Sequence, residues 1–333
     1  MRKMKSHILL SILLIILAGC TNLPTSSRQP AVAPSDTPAA APSDTPTAPP
    51  APTQSATPTA RPTATRILTS TPIPTPDFET LSAIFSYDVS APLEVSWGAE
   101  RKDDSKGMAD VQEVSYQGTK SCQAGALLVQ PRGDGPFPAV IYLHRVPANR
   151  DQFLDEAIEL AGHGVVSLLL DSPFDRRCYS LDVYTRQSLI DTVIFIRRAI
   201  DFLDSLPQVD PTRLAFVGHS FGANFGGVVA GVDARIHSFV LMAGVANLSR
   251  YNTPDLRDVD AHQYISHADE DVFLFQFGDL DEYIDKRAAL FYYNSASGQK
   301  SILWYKTDHQ GVEHEGKADR VAWLLQQLGI VGK

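Results

Sequence analysis

Cysteine is scarce in this chain, with three among 333 residues. That excludes a disulfide framework and leaves too few thiolates for a cysteine zinc cage. Positive charge is also short, with 29 Lys and Arg against 38 Asp and Glu. The net charge is −9, and removing Arg2, Lys3 and Lys5 makes it three units more negative. No basic stripe offsets this balance, so a phosphate backbone would be repelled, and nucleic acid is not an expected partner. Long apolar runs are missing too. Ile8 to Leu17 is only about ten residues, where ~20 are needed to cross a hydrocarbon core.

Proline is plentiful but confined, with 14 of the 23 lying between Thr21 and Pro76 in a stretch otherwise rich in Thr, Ala and Ser. Such a segment cannot bury enough apolar area to offset its ordering entropy. Residues 20–76 are therefore expected to be a solvated tether, and residues 77–333 a single α/β domain. Ahead of the tether, Met1 to Lys5 is basic and Ile8 to Leu17 apolar, the pattern of a secretory signal over residues 1–19. Its end, Leu17-Ala18-Gly19-Cys20, resembles the lipobox of bacterial lipoproteins. The resemblance implies acylation of Cys20, a membrane anchor and an extracytoplasmic location.

Val111 to Tyr116 and Ala126 to Gln130 read as an antiparallel pair of strands. Ala139 to His144, Val165 to Leu170, Arg213 to Val217, Ser238 to Met242, Val272 to Phe277 and Ile302 to Tyr305 are further strand-length runs. Helical spacing falls between them, at Asp151 to Ala161, Leu189 to Leu203, Phe221 to Ala230, Tyr283 to Tyr293 and Ala318 to Leu328. The alternation implies a mainly parallel central sheet with helices on both faces. About 28 residues separate the strand ending near Ala243 from that starting at Val272, so a lid is expected to be small or absent.

Gly218-His219-Ser220-Phe221-Gly222 stands between a predicted strand and a predicted helix. This is the G-x-S-x-G pattern of a nucleophile elbow, whose sharp turn needs small residues on either side of the serine. A serine hydroxyl needs a base, and the base needs an orienting acid. Gly278-Asp279-Leu280-Asp281 and Lys306-Thr307-Asp308-His309 follow successive strands, in the order Ser, acid, His. Here the chain from about Tyr87 to Leu328 resembles the α/β-hydrolases, nearest their dienelactone-hydrolase-like and small-esterase branch. The matching pieces are Pro138 to His144, Asp210-Pro211-x-Arg213, Gly218 to Gly222, Gly278-x-x-Asp281 and His309.

The resemblance implies Ser220 as nucleophile, Asp281 as acid and His309 as base, with Asp279 and His314 as the less favoured alternatives. The family usually has His-Gly after its third strand, whereas this chain has His144-Arg145-Val146-Pro147. The oxyanion hole then falls to the amides of Phe221 and Val146. Arg145 is expected to point into solvent, the alternative being a substrate-anchoring cation. His144 and His219 read as framework residues at strand ends, and Asp171 as a cap or turn residue. His262 and His267, like His309 and His314, are five apart, whereas a helical metal pair wants four. Cys122 and Cys178 are a candidate bridge in an exported protein, two buried thiols being the alternative.

The expected activity is carboxylic-ester hydrolysis on a small-molecule substrate, with no metal or organic cofactor implied. A peptidase of the same fold and a noncatalytic binding lipoprotein remain as alternatives.

Overall fold

The computed structural model describes residues 77–102, 107–119, 122–172, 185–250 and 254–330. Cys20, the signal and tether segments, and Cys178 lie outside them. Among the described residues, nine strands form one sheet in the order β1-β2-β3-β5-β4-β6-β7-β8-β9. They are β1 (Ser96–Arg101), β2 (Ala109–Thr119), β3 (Cys122–Pro131), β4 (Phe137–Leu143), β5 (Val166–Leu170), β6 (Val209–His219), β7 (Ser238–Met242), β8 (Val272–Gly278) and β9 (Gln299–Tyr305). Strands from β5 across to β9 pair in parallel, and β1, β2 and β3 add an antiparallel flank. The mainly parallel sheet expected from the sequence is present.

The helices are α1 (Phe78–Ala83), α2 (Leu154–Ala161), α3 (Arg186–Asp204), α4 (Phe221–Val232), α5 (His262–Ile265), α6 (Lys286–Ser295), α7 (Val312–Glu315) and α8 (Lys317–Gln327). Side chains alternate across a strand. In β4, Ile141 and Leu143 therefore join a core layer with α3, α4 and α6, while Val140 and Tyr142 join a layer with α2 and α8. Covered on both sides, β5 and β7 are buried throughout, with no exposed residue. That is why they read as unbroken apolar runs.

β4 is followed by β5 on one side of the sheet, and β6 then enters on the other. This reversal opens a crevice beyond the carboxyl ends of β4 and β6, where ligands of open α/β sheets settle. A fully buried ion pair lies beneath it. Arg320 Nε is 2.9 Å from Glu156 Oε1, and Tyr142 Oη donates to the same oxygen.

Two features depart from the sequence pattern. The strand β1 was not anticipated, because its residues are nearly all exposed and carry no apolar alternation. The helix expected from Tyr283 begins at Lys286, since Asp285 caps it by accepting from Ala288 N.

Candidate active site

The chain leaves β6 at His219 and enters α4 at Phe221, so Ser220 alone makes the turn, with φ 54° and ψ −112°. That φ is strained for a residue with a Cβ, and such strain is held only where the surroundings fix it. Here Ser220 N donates to Met242 O at 2.7 Å, and Ser220 O accepts the first helical bond from Asn224 N. The flanking glycines allow the backbone to close. A Cβ on Gly222 would sit 2.1 Å from Leu143 O, and one on Gly218 would sit 2.4 Å from Gly222 C.

Loops after β8 and β9 come together because their backbones keep pairing beyond the strands. Asp279 N donates to Tyr305 O, and Leu280 N to Thr307 O. Asp308 Oδ1 accepts from Gln310 N and Gly311 N, which turns the chain around His309. His309 Nδ1 then lies 2.7 Å from Asp281 Oδ2. The other carboxylate oxygen, Asp281 Oδ1, accepts from Tyr283 N and Ile284 N, each at 2.8 Å. The Asp281 side chain is 1% exposed and that of His309 8%. The rings of Tyr283 and His309 meet at 73°, with centroids 5.1 Å apart.

Ser220 and His309 line one cleft of about 330 Å³, together with Phe221, Val146, Asn224 and Tyr283 among others. Of the residues singled out from sequence, Ser220, Asp281, His309, Phe221 and Val146 therefore converge on this region. The Val146 N–H makes no hydrogen bond among the described residues. The less favoured Asp279 and His314 are exposed, and neither lines the cleft. Arg145 departs from expectation. It does not simply extend into solvent but lines the cleft, with Nη2 3.3 Å from Gln310 Oε1 and Nε buried without a partner.

His144 and His219 are framework residues, as expected. His144 Nε2 accepts from Ser172 N, and its Nδ1 lies 2.7 Å from Arg145 O. His219 is fully buried, and its Nε2 lies 2.9 Å from His309 O. Its neighbour Gln152 went unnoticed in the sequence. Gln152 Oε1 accepts from Arg145 N, so both Nε2 hydrogens donate, one to His219 Nδ1 and one to Glu313 Oε2. With Nδ1 accepting, His219 must be neutral and donate from Nε2 to the His309 carbonyl. Burial enforces this, pushing the His219 pKa down to about 3, while burial pushes Glu313 up. Asp171 is an ion-pair partner rather than only a cap, 3.4 Å from Arg150 Nη1. Cys122 is disulfide-bonded, and Cys178, its expected partner, lies outside the described residues.

The sheet order, the elbow after β6 and the loops after β8 and β9 identify the architecture. The chain has the α/β-hydrolase fold. Acetyl xylan esterase 1 from Thermoanaerobacterium superposes with a TM-score of 0.64 at 14% identity, covering 76% of this chain and 93% of that one. An S-formylglutathione hydrolase from Agrobacterium tumefaciens gives 0.57 at 15% identity, covering 70% of this chain and 100% of that one. In sequence, Esterase FrsA of Salmonella paratyphi B is 33% identical over 101 residues, which is 30% of this chain. The match spans only 23% of that relative's length. No family model matches the chain.

Proposed function

We propose that this chain is a serine hydrolase acting on carboxylic esters, with Ser220 as nucleophile, His309 as base and Asp281 as the acid that orients it. The observation that carries the reading is the 2.7 Å approach of His309 Nδ1 to a carboxylate oxygen whose partner oxygen is committed to two backbone amides. An acid so held keeps the Nδ1 proton in place and leaves Nε2 to take the proton of Ser220. As Oγ attacks, charge gathers on the carbonyl oxygen. The amides of Phe221, at the start of α4, and Val146, in the loop after β4, serve as the oxyanion hole. His309 then gives its proton to the leaving alcohol, and water clears the acyl-enzyme by the same base. The named esterases among the relatives support an ester over a peptide.

We also propose that the enzyme works outside the cytoplasm, anchored to a membrane through a lipid on Cys20. The sequence Leu17-Ala18-Gly19-Cys20 supports the anchor, and the disulfide at Cys122 fits an oxidising compartment. The deciding experiment for the chemistry is labelling by a fluorophosphonate together with hydrolysis of 4-nitrophenyl acetate. Both should disappear in Ser220→Ala while the fold persists. A folded Ser220→Ala that turns over the ester like wild type would overturn the proposal.

A further inference from the structure

Among the described residues, Arg145 is a cation without an anion. Arg150, five residues on, bridges Glu113 and Asp171, and Arg320 beneath the site is matched by Glu156. Among the described residues, no carboxylate oxygen comes within ion-pair distance of Arg145. Glu313 feels its charge, but that carboxylate is bonded to Gln152. The guanidinium has one hydrogen bond, from Nη2 to the neutral Gln310 Oε1, and its Nε is buried without any.

This charge is also held in place. Arg145 N is bonded to Gln152 Oε1, and Arg145 O accepts from Ala148 N. Gln310, which steadies the head group, directly follows His309. The guanidinium therefore bridges the loop that offers Val146 N and the loop that offers the base. Its cleft neighbours include Pro147, Val245, Leu248 and Ile284, which offer a cation no compensation. Leaving a guanidinium half-desolvated in such a wall is unfavourable for the empty enzyme. It becomes favourable when a planar anion fills the fork, and a carboxylate matches that fork with two parallel hydrogen bonds.

We infer that Arg145 is a specificity residue that pairs with an anionic group on the substrate, so that the cleft selects esters bearing a carboxylate. The inference rests on the esterase reading and narrows its substrate class. The cleft, at about 330 Å³, has room for a carboxylate a few bonds from the scissile carbonyl.

The test uses the full chain and two pairs of esters matched in shape. One pair is 4-nitrophenyl hemiglutarate against 4-nitrophenyl valerate, with the charge on the acyl half. The other is 3-acetoxybenzoate against its methyl ester, with the charge on the alcohol half. In at least one pair, wild type should favour the anion in kcat/KM by about 10- to 100-fold, the range of a charge-assisted hydrogen bond. Arg145→Gln should abolish that ratio, mainly through KM. Arg145→Lys should keep part of it, and added salt should shrink it in wild type. Turnover of the neutral esters with no preference for either anion overturns the inference and leaves the esterase reading standing. So does a preference that survives in Arg145→Gln. If no ester is hydrolysed and Ser220 takes no fluorophosphonate, the esterase reading fails and the inference falls with it.

Discussion

Asp281→Asn gives the sharpest check on the proposed chemistry, because the surroundings dictate which way the new amide must face. In the native site Asp281 Oδ1 accepts two backbone N–H groups and Oδ2 meets His309 Nδ1. An asparagine that keeps both backbone bonds must turn its NH₂ toward Nδ1. His309 then holds its proton on Nε2 and cannot take one from Ser220. The flipped amide restores the tautomer but sets two donors against the N–H groups of Tyr283 and Ile284. The first is exposed and the second partly buried, so together the flip costs about 2–4 kcal/mol. At 1.36 kcal/mol per decade, the productive orientation is depleted about 30- to 10³-fold. Loss of the negative charge facing the imidazolium adds to this, for roughly 10³–10⁴ in kcat/KM. The assay is 4-nitrophenyl acetate hydrolysis, with circular dichroism and Tm to verify the fold. Asp279→Asn is the control and should stay within about threefold, since that side chain is exposed. A folded Asp281→Asn that keeps a third of wild-type kcat/KM would refute the reasoning.

Gly222→Ala should destabilise by about 3 kcal/mol or more, because its Cβ would lie 2.1 Å from Leu143 O in backbone that cannot yield; chemical denaturation measures it, and an unchanged midpoint would contradict the elbow packing. His219 should make the fold acid-sensitive, since its pKa falls to about 3 in the folded state against ~6.5 unfolded. Above pH ~6.5 the group adds nothing, whereas below it the unfolded chain binds a proton that the native state refuses, so stability drops until about pH 3. Asp191 and Asp271, both raised to about 6, act oppositely by binding protons first in the folded state. The diagnostic is therefore the difference between wild type and His219→Gln, whose stability should fall less steeply from pH 6 to 4, by up to ~1.4 kcal/mol per unit; parallel profiles would remove the claim. Finally, the full chain should fractionate with membranes when expressed in a bacterium, and Cys20→Ala should release it; an unacylated native protein would end the anchor proposal.

What could be read in the sequence follows from where the burial lies. Ala139 to Leu143, Val166 to Leu170 and Ser238 to Met242 are buried on both faces, and double burial leaves a continuous apolar imprint. The elbow was equally legible, because Gly218 and Gly222 are demanded by backbone approach rather than by any side-chain partner. Strand β1 left no imprint, being a solvent-facing edge. Tyr283 and Ile284 misled the helix assignment for a related reason. Their spacing fits an apolar helical face, yet their amides are taken by Asp281 and their side chains line the cleft. At that point the local preference gave way to the site.

Gln152 shows the limit of pattern reading most clearly. It sits in the short helical turn Arg150–Phe153 just before α2, where nothing about its type or spacing sets it apart. Yet one amide ties Arg145 of the loop after β4, His219 of the elbow strand and Glu313 of α7. Through His219 it also fixes the carbonyl of His309. Periodicity reports the many residues that share one environment, whereas a tie of this kind is a single side chain whose partners are 7, 67 and 161 residues away. Such contacts become visible only once the strands have brought their ends together. The same holds for Arg145: that none of the described acids pairs with it can be noticed only once the fold has assigned them to others.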